Sequence, residues 1–145
     1  MSLSSPPPDD GHPPGLPFLF VDRSLGRIQV PALLRAAGLR LVTLAEHYGI
    51  PADEEVDDVT WIADAGQQGW TVLMKDERIR RRPSEKAAVV EHAVRCFVIT
   101  RADLGAEPMA ARFLTNLGAM ARACADPGPF IYAVHESRIQ PLTLD

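Results

Sequence analysis

Phe18-Leu19-Phe20-Val21-Asp22 is the stretch on which the reading of the fold turns. Four apolar residues in a row, too few for a helix, read as a strand buried on both faces. A carboxylate then ends the run. The same arrangement returns at Trp70–Met74, which is followed by Lys75 and then Asp76. A strand covered on both sides belongs to a sheet with helices above and below, so the intervening sequence should supply helices.

It does. From Ile28 to Ala37 the apolar residues recur at helical spacing, with Gly38 placed as a C-terminal cap. Leu39–Leu44 reads as a second strand, and its Arg40 suits an edge or an end. Ala45–Val56 reads as a loop broken by Gly49 and Pro51. Asp57 or Asp58 opens the next helix, whose apolar face holds Val59, Ile62 and Ala63 with Trp61 beside them, and Gly69 closes it before the third strand. Ser84 is placed to cap a helix from Glu85 to Val94. Cys96–Ile99 is a fourth strand, Glu107–Ala125 a long helix, and Phe130–Val134 a fifth strand after the breaker Asp126-Pro127-Gly128-Pro129. The expected class is α/β: a three-layer α/β/α sandwich around a central parallel five-stranded sheet. Residues 18–145 make this domain. Residues 1–17, rich in proline and poor in apolar side chains, are expected to be a disordered tail.

Composition narrows the function. The 145 residues suffice for one domain with a real core. No apolar run is long enough to cross a bilayer, and Met1–Pro17 lacks the pattern of a secretory signal. Cys96 and Cys124 stand apart from any Cys-x-x-Cys or Cys/His cluster and read as buried thiols of a cytoplasmic protein. The formal net charge of −4 argues against a generally basic nucleic-acid binder. Catalytic acids contribute to that sum, however, and a local basic patch is compatible with it.

In a parallel sheet, whatever follows each strand gathers on one rim, where such folds bind their ligands. Asp22 follows the first strand, Glu46 the second and Asp76 the third. Asp57 and Asp58, at the start of their helix, belong to the same rim. Carboxylates brought together repel one another, and a hard divalent cation with oxygen ligands relieves this. Each acid also has a plainer role open to it: Asp57 or Asp58 as a helix cap, and Glu46, Asp53, Glu54, Glu55 and Glu77 as solvated charges. Arg78, Arg80, Arg81 and Arg82, with Lys75, form a basic run beside Asp76 that suits RNA phosphates or, equally, solvent. Arg23, Arg27 and Arg101 lie on the same side. Trp61 and Trp70 read as core and not as base-stacking platforms.

Three segments carry a family resemblance: Phe18–Asp22, Asp58-Val59-Thr60-Trp61-Ile62 and Gly69–Asp76, with Phe130–Val134 as a last strand. In this order, and covering the chain from Phe18 to Val134, they resemble the PIN-like nucleases, in particular the VapC-type toxin ribonucleases. The resemblance implies an enzyme that cleaves RNA with magnesium or manganese. It implies metal ligands at Asp22, Asp58 and Asp76, with Glu46, Asp57 or Glu77 as candidates for a fourth acid. It also implies an antitoxin protein as partner, and a homodimer would be compatible with the long helix and the fifth strand. Where many relatives have a hydroxyl two residues before the third-strand acid, this chain has Met74. Two alternatives follow from the residues. One is a PIN-like fold kept only for binding RNA or protein, which Met74 would favour. The other is a receiver-like phosphoacceptor domain with Asp76 as acceptor and Thr100 as its hydroxyl. Against the latter, Arg23 stands where a second acid is wanted and His135 where a lysine is wanted.

Overall fold

The computed structural model describes residues 11–75 and 81–144. Within these the sheet has six strands in the order β2-β1-β3-β4-β5-β6: β1 Leu19–Val21, β2 Leu41–Thr43, β3 Thr71–Met74, β4 Arg95–Val98, β5 Phe130–Val134 and β6 Ile139–Leu142. The first five run parallel. The sixth, expected as a tail, pairs antiparallel with β5 after a turn at His135–Arg138. Such a turn needs only a few residues, so a terminal segment joins the sheet without a crossover.

Side-chain alternation divides the core in two. Leu19, Val21, Leu73, Phe97, Phe130 and Val134 face α1 (Gln29–Ala36), α5 (Ala106–Thr115) and α6 (Leu117–Ala123). Phe20, Val72, Met74, Cys96, Val98 and Ile131 face α3 (Asp58–Gln68) and α4 (Pro83–Glu91). Phe20 stacks on Trp61 at 5.5 Å and on Trp70 at 5.9 Å, which makes both tryptophans packing residues. Burial pushes the Cys96 thiol up to about 12, as suits an inert core cysteine.

Several local expectations are corrected. The stretch expected as a loop from Ala45 to Val56 contains α2 (Leu44–Tyr48) and a 3-10 turn at Ala52–Glu55. Thr43 and Glu46 form a reciprocal capping box at the start of α2, with Glu46 N donating to Thr43 Oγ1 at 3.0 Å and Thr43 N to Glu46 Oε1 at 2.9 Å. Ser84 does not cap α4, which begins one residue earlier at Pro83, where a fixed φ suits the first helical position. The long helix after Glu107 is two helices that bend at Asn116, whose buried amide donates to Arg112 O at 2.8 Å and His135 O at 3.0 Å. Part of the expected tail is packed. His12 is buried, its Nδ1 accepting from Arg40 N at 3.0 Å and its Nε2 lying 2.8 Å from Leu16 O. With Nδ1 an acceptor, the proton sits on Nε2 and is donated to Leu16.

The strand order reverses at β1. The chain leaves β1 through α1 to reach β2 on one side, then returns through α3 to reach β3 on the other. The carboxyl ends of β1 and β3 therefore open onto the crevice of a topological switch point. Asp22 follows β1 directly, and its amide donates to Leu73 O at 3.0 Å.

The α3–α4 pair that walls this crevice depends on Gly66. A Cβ there would stand 2.6 Å from both the Cβ and the backbone oxygen of His92, at the end of α4. Gly66→Ala gains about 1 kcal/mol of helix propensity but forces a backbone shift costing about 1–3 kcal/mol. The clash wins, and chemical denaturation should show a net loss of stability. A variant at least as stable as the wild type would mean that the two helices are not in contact here.

Candidate active site

The crevice is an open pocket of about 440 Å³, lined by Asp22, Arg23, Ser24, Val56, Asp57, Asp58, Trp61, Met74, Arg82 and Glu85. Asp22 is the most constrained member, only 5% exposed. Its Oδ2 accepts from Ser24 Oγ at 2.7 Å and from Ser24 N at 3.2 Å, which caps the 3-10 turn Arg23–Leu25. Ser24 Oγ in turn accepts from Lys75 N at 3.0 Å, so one hydroxyl ties the end of β1 to the end of β3. The other oxygen, Oδ1, is buried without a hydrogen-bond partner. Burial raises the Asp22 pKa. The Ser24 bonds oppose this, and the charge of nearby Asp58 adds to it.

Asp58 is the first residue of α3. Its Oδ1 accepts from Trp61 Nε1 at 2.8 Å, which fixes the carboxylate to a core side chain. Its Oδ2 lies 3.7 Å from Arg82. Asp57 is the N-cap of α3 and accepts from Thr60 N at 2.9 Å, which holds its carboxyl below the usual range. Both acids thus lie in the pocket, and the capping role belongs to Asp57.

Glu46 is occupied elsewhere. Besides its capping bonds it pairs with Arg35 at 2.6 Å, and that guanidinium holds its carboxyl low. Asp53, expected in solvent, is buried and pairs with Arg27 at 3.1 Å. Asp76, Glu77, Arg78 and Arg80 lie outside the described residues. Lys75 shares a second groove with Arg23, Arg27 and Ser24, next to the acidic pocket. Arg81 lines a separate groove on α4 with Lys86 and Val90. Arg82 points not to an outer basic face but to acids, meeting Glu85 at 3.4 Å as well as Asp58. Among the described residues no three histidine, cysteine or acidic side chains are grouped closely enough to hold a metal ion.

The matched elements agree with known proteins. A family model described as a PIN like domain matches residues 17–101, from the start of β1 to just past β4. This chain belongs to the PIN-like domain family. A relative from Mycobacterium tuberculosis (strain ATCC 25618 / H37Rv), named "Putative ribonuclease VapC45", is 50% identical over 124 residues, which covers 86% of this chain and 90% of the relative. No solved structure matches. In this PIN-like domain the match spans Asp22, Asp58 and Asp76 alike.

Sequence reasoning missed two pocket residues. Ser24 had a signal, since Asp-x-Ser after a strand suits a side-chain-closed turn. Its hydroxyl serves Asp22 from β1's own loop, while Met74, where many relatives have a hydroxyl, is buried against α3 and α4. Glu85 was legible only as a first-turn acid. Its arrival in the pocket depends on how α4 packs on α3.

Because its pKa is raised, ionised Asp22 opposes folding at neutral pH. The cost is absent below the ordinary carboxylate value of 3.8 and complete once the pH exceeds the raised value. Asp22→Asn should therefore melt a few degrees higher than the metal-free wild type at pH 7, with the gap closing as the pH falls toward 3.8. Equal or lower melting of Asp22→Asn at pH 7 would show that this carboxylate is not strained by burial.

Proposed function

We propose that this chain is a metal-dependent endoribonuclease that hydrolyses RNA phosphodiester bonds, and that it is the toxin of a toxin–antitoxin pair. The observation that carries the reading is Asp22, a buried carboxylate with one unpartnered oxygen, sharing an open pocket with Asp58 at the sheet's switch point. A buried charge is tolerated when it is paired or coordinates a metal, and no cation of this chain pairs with Asp22 among the described residues. The donor set is all oxygen, which fits magnesium or manganese. The relative's printed name, a ribonuclease, supports the substrate class.

In this reading Asp22, Asp58 and Asp76 hold the ion, Asp76 resting on its position after β3 in the sequence. A bound divalent cation would lower the pKa of a water and draw charge from the phosphate. The chain's own residues do the positioning. Ser24 fixes one oxygen of Asp22, which keeps its second oxygen for the site, and Trp61 fixes one oxygen of Asp58, whose second faces Arg82. The neighbouring groove with Arg23, Arg27 and Lys75 offers cations to the RNA backbone, and Arg78, Arg80 and Arg81 belong to the same proposal. An antitoxin that covers the pocket, a homodimer and a cytoplasmic location complete it. No helix among the described residues is long and apolar enough to cross a membrane.

The partly orphaned carboxylate of Asp22 in the pocket favours a catalytic site over a binding-only module, and the family match argues against a receiver-like domain. Asp22→Asn, Asp58→Asn and Asp76→Asn should each cut the rate of RNA cleavage in magnesium by roughly 100-fold or more, since even residues supporting metal ligands cost about 10–100-fold. Chelation should abolish cleavage and added magnesium restore it. Wild-type rates in Asp22→Asn and Asp76→Asn would sink the mechanism.

A further inference from the structure

Asp53 is a second buried carboxylate, outside the acidic pocket. It lies in the 3-10 turn Ala52–Glu55 and is 4% exposed. Its Oδ2 pairs with Arg27 Nη2 at 3.1 Å, and its Oδ1 is buried without a hydrogen-bond partner. A single-point ion pair is poor compensation for desolvating a carboxylate, so the fold alone gives little reason to keep this charge. What the buried acid holds is a guanidinium that still faces solvent. The Arg27 side chain is 42% exposed and lines the groove that also holds Arg23 and Lys75.

Arg27 is gripped by one nitrogen. Nη2 makes both of its contacts, with Asp53 and with Glu54 Oε2 at 3.2 Å, and among the described residues Nη1 and Nε make none. That leaves one edge of the guanidinium to a ligand in the groove, a fork whose geometry suits phosphate oxygens. The two acids differ in kind. Asp53 is enclosed, so solvent ions screen its hold on Arg27 only slightly. Glu54 has a side chain 67% exposed, so its pairing is weak and open to competition. The same turn also braces Arg23, whose Nη2 donates to Val56 O. Asp57 and Asp58 of the acidic pocket follow it directly in the chain.

We infer that Asp53 is a positioning residue for RNA: it anchors Arg27 so that the open edge of the guanidinium meets a backbone phosphate in the groove beside the acidic pocket, and Glu54 shares that cation until the phosphate displaces it. This rests on the RNA-cleaving reading above. Removing either acid raises the charge of the chain by one, and charge alone would then favour RNA in both cases. Positioning separates the two. Loss of Glu54 removes a competitor, whereas loss of Asp53 releases the cation from its place.

Fluorescence anisotropy of the full chain with a labelled single-stranded RNA of mixed sequence, at low salt in chelator and again in calcium, reads this as binding and not as cleavage. Asp53→Asn should bind about five-fold or more weakly, part of what a hydrogen bond to a charged group is worth. Its affinity should also fall less steeply with salt, by about one phosphate contact, or ~0.7 in the log–log slope. Glu54→Gln should bind about two- to five-fold more tightly, the scale of one exposed ion pair. Arg27→Gln should bind as weakly as Asp53→Asn, and adding Asp53→Asn to it should cost nothing more. Arg27→Lys keeps the charge but loses the fork, so it should weaken binding too, and it carries the test if thermal melting shows Asp53→Asn to be unfolded. Unchanged or tighter binding by folded Asp53→Asn, a further loss in the double variant, or wild-type binding by Arg27→Lys overturns the inference. In each of these cases the wild type still binds RNA, so the metal-dependent reading is untouched. No RNA binding by the wild type in either condition overturns both.

Discussion

The structure is organised around a carboxylate that the sheet obliges to be buried. β1 lies inside the sheet with strands on both sides, and Leu19, Phe20 and Val21 are all buried. The residue that follows cannot escape to solvent, because its amide is held by Leu73 O and its side chain by Ser24. A negative charge is thereby fixed in a region of low dielectric, where its field reaches as far as the Cys96 thiol. Natural sequences seldom keep such a charge for stability, since a neutral isostere would serve the fold better. Its presence at the switch point is the strongest single sign that this end of the sheet performs chemistry.

Much of this was legible in the sequence. Continuous apolar runs at Phe18–Val21 and Trp70–Met74 are what a doubly covered strand requires, and both became interior parallel strands. The place of Asp22 at the end of the first was readable because parallel topology sends every strand end to one rim. What was not legible came from contacts between elements remote in sequence. Glu46 satisfied the rim argument as well as Asp58 did, but the capping box with Thr43 and the pairing with Arg35 claim it for structure. Glu85 gave no signal beyond a first-turn acid, because its place depends on the close α3–α4 contact that Gly66 permits. β6 was missed because Ile139-Gln140-Pro141-Leu142 holds a proline and alternates weakly, which is tolerable only at a sheet edge.

The basic run from Arg78 to Arg82 shows why charge patterns in sequence underdetermine function. Read as a block, it suggested one RNA-facing surface. Its described members part company: Arg81 borders a groove on the outer side of α4, while Arg82 meets Asp58 and Glu85. The neighbouring groove instead takes its cations from Arg23, which follows Asp22, and Lys75, which follows the end of β3. A chain with net charge −4 can still present a local positive groove in this way, beside an acidic pocket that accounts for part of the excess.

A site assembled from both sides of the switch point is sensitive to the spacing of its supports. Asp22 and Ser24 are carried by β1 and tied to β3, whereas Asp58, Arg82 and Glu85 are carried by the helix pair on one face. The two groups meet through Phe20 and Trp61: Phe20 belongs to β1, stacks on Trp61, and Trp61 donates its indole N–H to Asp58. The core of that face is thus continuous with the pocket, and the geometry between Asp22 and Asp58 is set by an aromatic stack and not by a flexible loop. Loss of packing under α3 would shift one acid relative to the other before it unfolded the sheet, because β1 and β3 are also held by the independent core on the opposite face. The catalytic arrangement is for that reason expected to fail earlier than the fold.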